Sequence, residues 1–304
     1  MPHDLTVSAS TRISRRAEKL LATASAVTDT PPQIEDADFL HAILCQLGMP
    51  RARPAGRSFE RSSGGAMVLL EAGKLAKRGR FVEMPLPYGT RPRLVMVYAS
   101  TKAIREKTRI INVGNSMRSF MQSLGIDAGG HEYRRFRAQV EALAACRMTL
   151  GLCTPTRDLT IHTQPIERFE AWLTHGDQQT TMWPGEVELS ERFYETLREF
   201  AVPLSRESLT ALKGSSLALD AYTWLAYRLW RVKRDAGEKV SWSNLRDQFG
   251  HEYGDIKNFK RRFTAALRIA CTVYPDARIE HVPGGLLLRQ SPSPIPRPWI
   301  GWQK

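Results

Sequence analysis

The sequence predicts an α+β chain in which a long helix, a short helix, a basic helix and a hairpin follow one another twice. Three observations carry that expectation. Residues 240–289 hold two amphipathic helical periods, a Pro-Gly turn and two short apolar runs. The same order of periods runs from Arg93 to His162. Both copies set an arginine-rich helix just ahead of a hairpin, as Arg134-Arg135-Phe136 and Arg261-Arg262-Phe263 show. Helix, turn, helix and hairpin in that order is a winged helix-turn-helix, so the expected architecture is two of them in tandem.

In chain order, residues 1–36 are rich in Ser, Thr and Ala, end in Thr30-Pro31-Pro32 and carry Arg12, Arg15, Arg16 and Lys19 on a short helix over Ser10–Ala22. They read as a mobile basic arm. Ala37–Leu47 has Phe39, Leu40, Ile43, Leu44 and Leu47 at helical spacing and is stopped by Gly48 and Pro50. Ser58–Arg61 and Ala66–Glu71 flank Ser62-Ser63-Gly64-Gly65, a hairpin signal. Gly73-Lys74-Leu75-Ala76-Lys77 lacks the spacing of a phosphate loop, so its lysines read as surface. Phe81–Pro87 reads as an extended edge segment because of its two prolines.

Arg93–Glu106 is a helix, Arg109–Val113 a strand, and Asn115–Leu124 a short helix closed by Gly125. Glu132–Cys146 is a helix with Tyr133, Phe136, Val140 and Leu143 inward, Arg134 and Arg135 outward and Arg137 at the flank. Arg147–Leu152 and Leu159–His162 are strands around Thr154-Pro155-Thr156-Arg157, a candidate wing. Trp183–Leu189 is a strand, and Ser190–Glu199 and Ser205–Leu212 are helices. Ser215–Val232 is apolar on most sides and reads as a central core helix.

In the second copy, Ser241 caps a helix ending at Gly250, and Asp255 opens the helix to Ala270. Ile256, Phe259, Phe263, Leu267 and Ala270 form the inner stripe of that helix. Strands over Arg278–Val282 and Leu286–Arg289 meet at Pro283-Gly284-Gly285, and a Pro-rich tail with Trp299 and Trp302 follows. The expected units are therefore an arm (1–36), a first winged-helix domain (37–175), a second one that does most of the DNA reading (176–290) and a tail (291–304).

Charge gives this arrangement a purpose. The chain carries 44 Lys+Arg against 31 Asp+Glu, a net charge of +13, which implies a polyanionic partner. No apolar run approaches the roughly 18 residues of a spanning helix, and no secretory leader is evident, so the cytoplasm is the expected compartment and no membrane partner is expected. Cys45, Cys146, Cys153 and Cys271 show no Cys-x-x-Cys pairing and read as buried free thiols; no metal or cofactor set is expected. The helix from Ile256 to Cys271 has five cations and no acid. A rod with one apolar and one positive side fits a major groove, which admits one helix between phosphate walls.

On this reading Asn258 and Arg261 read base edges, through amide–adenine and guanidinium–guanine pairing. Lys257, Arg262 and Arg268 hold phosphates. Arg134 and Arg135 do the equivalent in the first copy, with Lys260, Arg137, Arg157 and Arg289 as further DNA contacts.

The pattern resembles the RepA-type plasmid replication initiators, in particular the family defined by a RepA carboxy-terminal region. The resemblance rests on Pro85-Leu86-Pro87-Tyr88-Gly89-Thr90-Arg91-Pro92-Arg93-Leu94 and Gly114-Asn115-Ser116-Met117-Arg118-Ser119-Phe120-Met121. It continues through Ala145–Gly151, Lys213-Gly214-Ser215-Ser216-Leu217-Ala218-Leu219-Asp220, the Tyr222–Leu229 stretch and Val273–Arg278. It spans roughly residues 60 to 292, and the block around Lys213–Leu219 is its most specific part. The resemblance implies a non-enzymatic initiator that binds repeated double-stranded origin sites (iterons), opens an adjacent A·T-rich segment, recruits host DnaA and the replicative helicase, and controls copy number. It also implies that the first domain mediates homodimerisation.

Two rivals remain at this stage. A winged-helix transcription regulator or autorepressor would share the same reading parts. A nicking rolling-circle initiator would need a Tyr nucleophile and a His-apolar-His metal motif, whereas His162 and His175 stand alone. The His-Glu-Tyr triplets at 131–133 and 251–253 read as helix-entry residues.

Overall fold

A computed structural model of the chain describes residues 14–77, 79–154, 156–170 and 185–296. The first element is α1 (Arg15–Asp29), capped by the Ser14 hydroxyl, which accepts from Ala17 N. There follow β1 (Ala37–His41), α2 (Ala42–Leu47), β2 (Ser58–Ser63), β3 (Ala66–Glu71), β4 (Lys74–Lys77) and β5 (Arg80–Glu83). Next come α3 (Thr90–Glu106), β6 (Ile110–Asn112), α4 (Met117–Ser123), α5 (Gly130–Ala145), β7 (Arg147–Thr154), β8 (Arg157–Thr163) and β9 (Ile166–Glu170). The chain resumes with β10 (Glu186–Leu189), α6 (Glu191–Phe200), β11 (Ala201–Ser205), α7 (Arg206–Leu212) and α8 (Ser216–Arg228). The last elements are β12 (Glu238–Ser241), α9 (Trp242–Phe249), α10 (Ile256–Thr272), β13 (Ile279–Val282) and β14 (Gly285–Leu288). The fold is α+β, as expected.

Two three-stranded antiparallel sheets repeat one strand order. In the second half it is β12-β14-β13, formed around the 282–285 turn. In the first half it is β6-β10-β9. Each sheet accompanies three helices: α3, α4 and α5 in one half, and α8, α9 and α10 in the other. The internal echo read from the sequence is thus present in the topology, with one correction. The hairpin β7–β8, expected to be the first wing, is built into a four-stranded sheet of order β2-β3-β7-β8. Backbone pairing along the whole of β3 holds it there, Ala66 opposite Leu152 through Glu71 opposite Arg147. The place corresponding to the second-half hairpin is taken by β9 and β10.

Helix α8 is the centre of the molecule. Leu217, Leu219, Tyr222, Trp224 and Leu225 are buried on it, as its all-round apolar pattern required. α10 presents Phe259, Phe263, Leu267 and Ala270 to the interior, where Phe263 stacks on Phe249 (5.3 Å) and meets Trp224 edge-on (6.3 Å). Each such ring removes enough apolar surface from water to be worth about 2–3 kcal/mol.

Several expectations change. Ala37–His41 is a strand where a helix was expected, because every residue of it pairs with β11, Ala37 opposite Ser205 and His41 opposite Ala201. That pairing outweighs the helical spacing of Phe39 and Leu40, and it ties the start of the first half to the second. α2 then begins at His41, whose ring nitrogen accepts from Ile43 N at 3.2 Å. The expected arm is, over Arg15–Asp29, a helix with Leu20 and Val27 buried; residues 1–13 lie outside the described residues, Arg12 among them. Cys45 and Cys146 are buried, but Cys271 is half-buried and Cys153 faces solvent at the end of β7; all four are free. The start of the tail is packed: Ile295 is buried and Tyr274 Oη donates to Pro292 O at 2.5 Å. Trp299, Trp302, His175 and the expected boundary near 175 lie outside the described residues. Among the described residues no helix is long and apolar enough to cross a membrane.

Candidate nucleic-acid interface

The two basic helices are built by the same local rules. Asp255 precedes α10 in extended backbone and its carboxylate accepts from Asn258 N at 2.8 Å. That fixes the first turn and sets Lys257, Asn258 and Arg261 on the side away from the apolar stripe. Lys257, Arg261, Arg262 and Arg268 are exposed, and Asn258 and Lys260 half-buried. Arg261 Nη2 donates to Asn258 Oδ1 at 3.0 Å, so the two expected base readers hold each other in register. Lys260 Nζ lies 5.7 Å from the Trp242 ring centroid, a cation–π contact that keeps it close to the protein. Among the described residues, Lys257, Arg262 and Arg268 have no carboxylate partner. One member of the stripe departs from expectation: Ile256, at the exposed first turn, is 37% exposed.

On α5, Phe136, Val140 and Leu143 are buried while Arg134 and Arg135 are exposed. Arg135 lies 3.7 Å from Glu132, and Arg137 Nε donates to Glu141 at 3.2 Å. Arg137 is thus held along its own helix. Arg289 is similarly held by Glu280 across the hairpin, at 2.5 and 3.3 Å. The Arg157 side chain lies outside the described residues; its strand belongs to the four-stranded sheet.

The structure brings α5 and the turn ahead of α10 together in a way the sequence did not. Both lie on the walls of a single open cleft of about 1000 Å³. His131, Arg134 and Arg135 line it from α5, and Glu252 and Tyr253 from the turn ahead of α10. Arg51, the Tyr88–Arg91 stretch and Gly214–Leu217 complete the wall. His131 of the first His-Glu-Tyr triplet and Glu252 and Tyr253 of the second therefore face the same space. The two stretches that carried most of the family resemblance, around Tyr88–Leu94 and Lys213–Asp220, meet here too.

An ion-pair cluster supports this wall. Glu252 accepts from Arg51 at 2.6 Å and from Arg61 at 2.8 Å. Arg61 is fully buried and also donates to Leu47 O at 3.2 Å. Burial pulls its pKa down to about 10, with Glu252 and Asp220 opposing the shift, so it stays charged at neutral pH. Burial alone would raise the Glu252 pKa, but Arg61 and Arg51 outweigh it and hold the carboxyl below its usual value. Arg51 also spans the Tyr253 ring at 4.6 Å and donates to its hydroxyl at 2.9 Å. The sequence pattern gave Arg51 no role. The only early signal was the density of arginines around it.

Among the described residues no three His, Cys, Asp or Glu side chains are grouped to hold a metal. His162 Nδ1 is engaged by Thr149 at 3.1 Å.

The family model described as "Plasmid encoded RepA protein" matches residues 86–244, just over half of the chain. No curated protein matches. Among solved structures the chain is similar to the selenomethionine derivative of domains 2 and 3 of RctB, at 13% identity and a TM-score of 0.47, covering 75% of this chain and 83% of that one. A second structure of RctB domains 2–3 matches at 13% identity and a TM-score of 0.44, covering 75% and 82%. The family match covers α3, α5, α8 and the cleft walls at Tyr88–Arg91 and Gly214–Leu217, with α10 beyond its end, and the chain belongs to the plasmid-encoded RepA family of replication initiators.

Proposed function

We propose that the protein starts plasmid replication by binding repeated double-stranded sites at the origin with two linked winged helices, one centred on α5 and the other on α10. The observation that carries this reading is the placement of the two basic helices. α5 and the turn that leads into α10 line one cleft, and the outward cations of α10 are not neutralised by carboxylates among the described residues. Asn258 and Arg261 read base edges, with Lys257, Lys260, Arg262 and Arg268 on phosphates. Arg134 and Arg135 serve the adjacent turn of the duplex. Arg137, Arg157 and Arg289 are secondary members, since carboxylates already hold Arg137 and Arg289. Linking two modules makes the second contact intramolecular and raises affinity accordingly.

Origin opening, recruitment of DnaA and the replicative helicase, homodimerisation and copy-number control follow from the family reading, as does a non-enzymatic role in the cytoplasm. A footprint of purified protein on the plasmid that carries its gene tests the proposal. Protected, regularly spaced direct repeats are expected, and absence of protection at low salt defeats it. A transcription regulator would share the footprint, but only an initiator supplied in trans sustains an origin plasmid.

A further inference from the structure

The cleft between α5 and α10 has properties that base reading does not require. Its immediate surroundings hold five arginines (Arg51, Arg61, Arg91, Arg134 and Arg135) against two carboxylates, Glu132 and Glu252. Two long helices open toward it without a side-chain cap. α3 starts at Gly89, with φ +82°, and α5 at Gly129, and neither cap offers an acceptor to the first-turn N–H groups. The other α-helices of the described residues all have a capping side chain, Ser215 on α8 included. Arg51, with 9% of its side chain exposed, and Arg91 each keep a buried Nε–H that has no acceptor in the chain among the described residues. Uncapped N–H groups and a guanidinium excess converge on one space, and that is the donor set of an oxyanion.

We infer that this cleft seats phosphodiester groups of the duplex backbone as it passes from one reading helix to the other, with Arg51, Arg91 and the first turns of α3 and α5 as donors. The inference rests on the DNA-binding reading and adds to it a contact that reports no base. A cleft open at its mouth and flanked by α5 and by the turn that leads into α10 suits a polymer that continues past it on either side. The contact also sets the spacing between the two halves of the site, because the strand is gripped between them.

The test puts a carboxylate into the cleft where the fold tolerates it. Thr90→Glu and Ser216→Glu both fall in the first turn of a helix, where a negative charge is favoured by the helix dipole. Unchanged urea midpoints show that the variants are folded. Binding to origin duplex and to random duplex is then measured across a salt series. The expectation is a loss of about tenfold that is equal for both duplexes, and a salt slope lower by about one. On origin duplex carrying single methylphosphonates, neutralising one or two phosphates midway between the reading sites should weaken the wild type. The same change should cost the Ser216→Glu variant less.

If the variants match the wild type in affinity and slope while Arg261→Ala still loses its base preference, the cleft inference fails and the reading helices stand. If the wild type does not distinguish origin from random DNA, the DNA-binding reading fails and this inference with it. Free ATP titrated calorimetrically supplies the other source of phosphate. Stoichiometric binding that Ser216→Glu abolishes, without any methylphosphonate effect, would assign the cleft to a nucleotide and overturn the backbone seat.

Discussion

Arg93 and Asp220, 127 residues apart in sequence, face each other as a two-pronged ion pair, Nε to Oδ1 and Nη2 to Oδ2 both at 2.7 Å. Both side chains are almost completely buried. The remaining Arg93 donors reach the carbonyls of Pro50 and Gly89 at 2.9 and 2.6 Å, and that of Met49. Asp220 is further enclosed by Gly48, where an added Cβ would lie 2.8–2.9 Å from the carboxylate and where φ is +59°. One guanidinium thus ties α3 to α8 and to the loop that carries Arg51.

Removing one partner of such a pair leaves a buried charge without its counter-ion. Arg93→Met is expected to lower unfolding free energy by about 3–5 kcal/mol, and Asp220→Leu by a similar amount. The double variant should lose clearly less than the sum, since neither charge is then stranded. Urea denaturation of the three variants checks this, and strict additivity would refute the pairing.

The Glu252 cluster predicts an asymmetry. Glu252→Gln strands the fully buried Arg61, whereas Arg61→Met strands a carboxylate that is 26% exposed and still holds Arg51. The glutamine variant should therefore sit near the about 3 kcal/mol end of the buried-pair range, and the methionine variant should lose less. Equal losses in urea titrations would contradict the burial difference.

On α10, Arg261→Ala is expected to cost about 1–3 kcal/mol of binding and to relax specificity at one base pair. Lys257→Ala should weaken all sequences alike and reduce the salt slope by about one. Because Arg261 donates to Asn258, Asn258→Ala should also blur the base preference attributed to Arg261. Binding to a panel of single-base site variants separates these outcomes.

His41 supplies a pH signature. Burial holds its folded-state pKa at about 4, below the ordinary 6.5, so the folded ring is neutral at neutral pH. As pH falls below 6.5 the unfolded chain takes up a proton that the folded chain refuses, and stability declines until the folded pKa is reached. The His41 contribution should be a loss of about 2 kcal/mol between pH 7 and pH 5. His41→Asn keeps an acceptor for the cap of α2 and removes this slope. Urea midpoints for both proteins over that window provide the check, and parallel curves would show that His41 is not the group.

What the sequence revealed depended on the range of the interaction. α10 was legible because its apolar period, its Asp255 cap and its acid-free outer face lie in one stretch from Asp255 to Thr272. α5 was legible from its apolar period and its outward arginines alone. β1 was not, because its conformation is imposed by β11, far along the chain. The first-half sheet was misread because β6 pairs with β10 and not with the nearby hairpin β7–β8, which local turn chemistry made the obvious wing. The cleft was out of reach altogether. Its walls come from five separated stretches, and nothing about Arg51 singled it out until folding set it beside them.

The pairing of β1 with β11 has a consequence for synthesis. A ribosome that has delivered residues 37–41 must add some 160 more before their partner strand exists, so an emerging chain carries an unzipped edge through most of its elongation. Truncation after β10 would leave that edge permanently open, and such a fragment would associate through it. Nascent molecules of this initiator therefore acquire their closed form only once β11 has emerged.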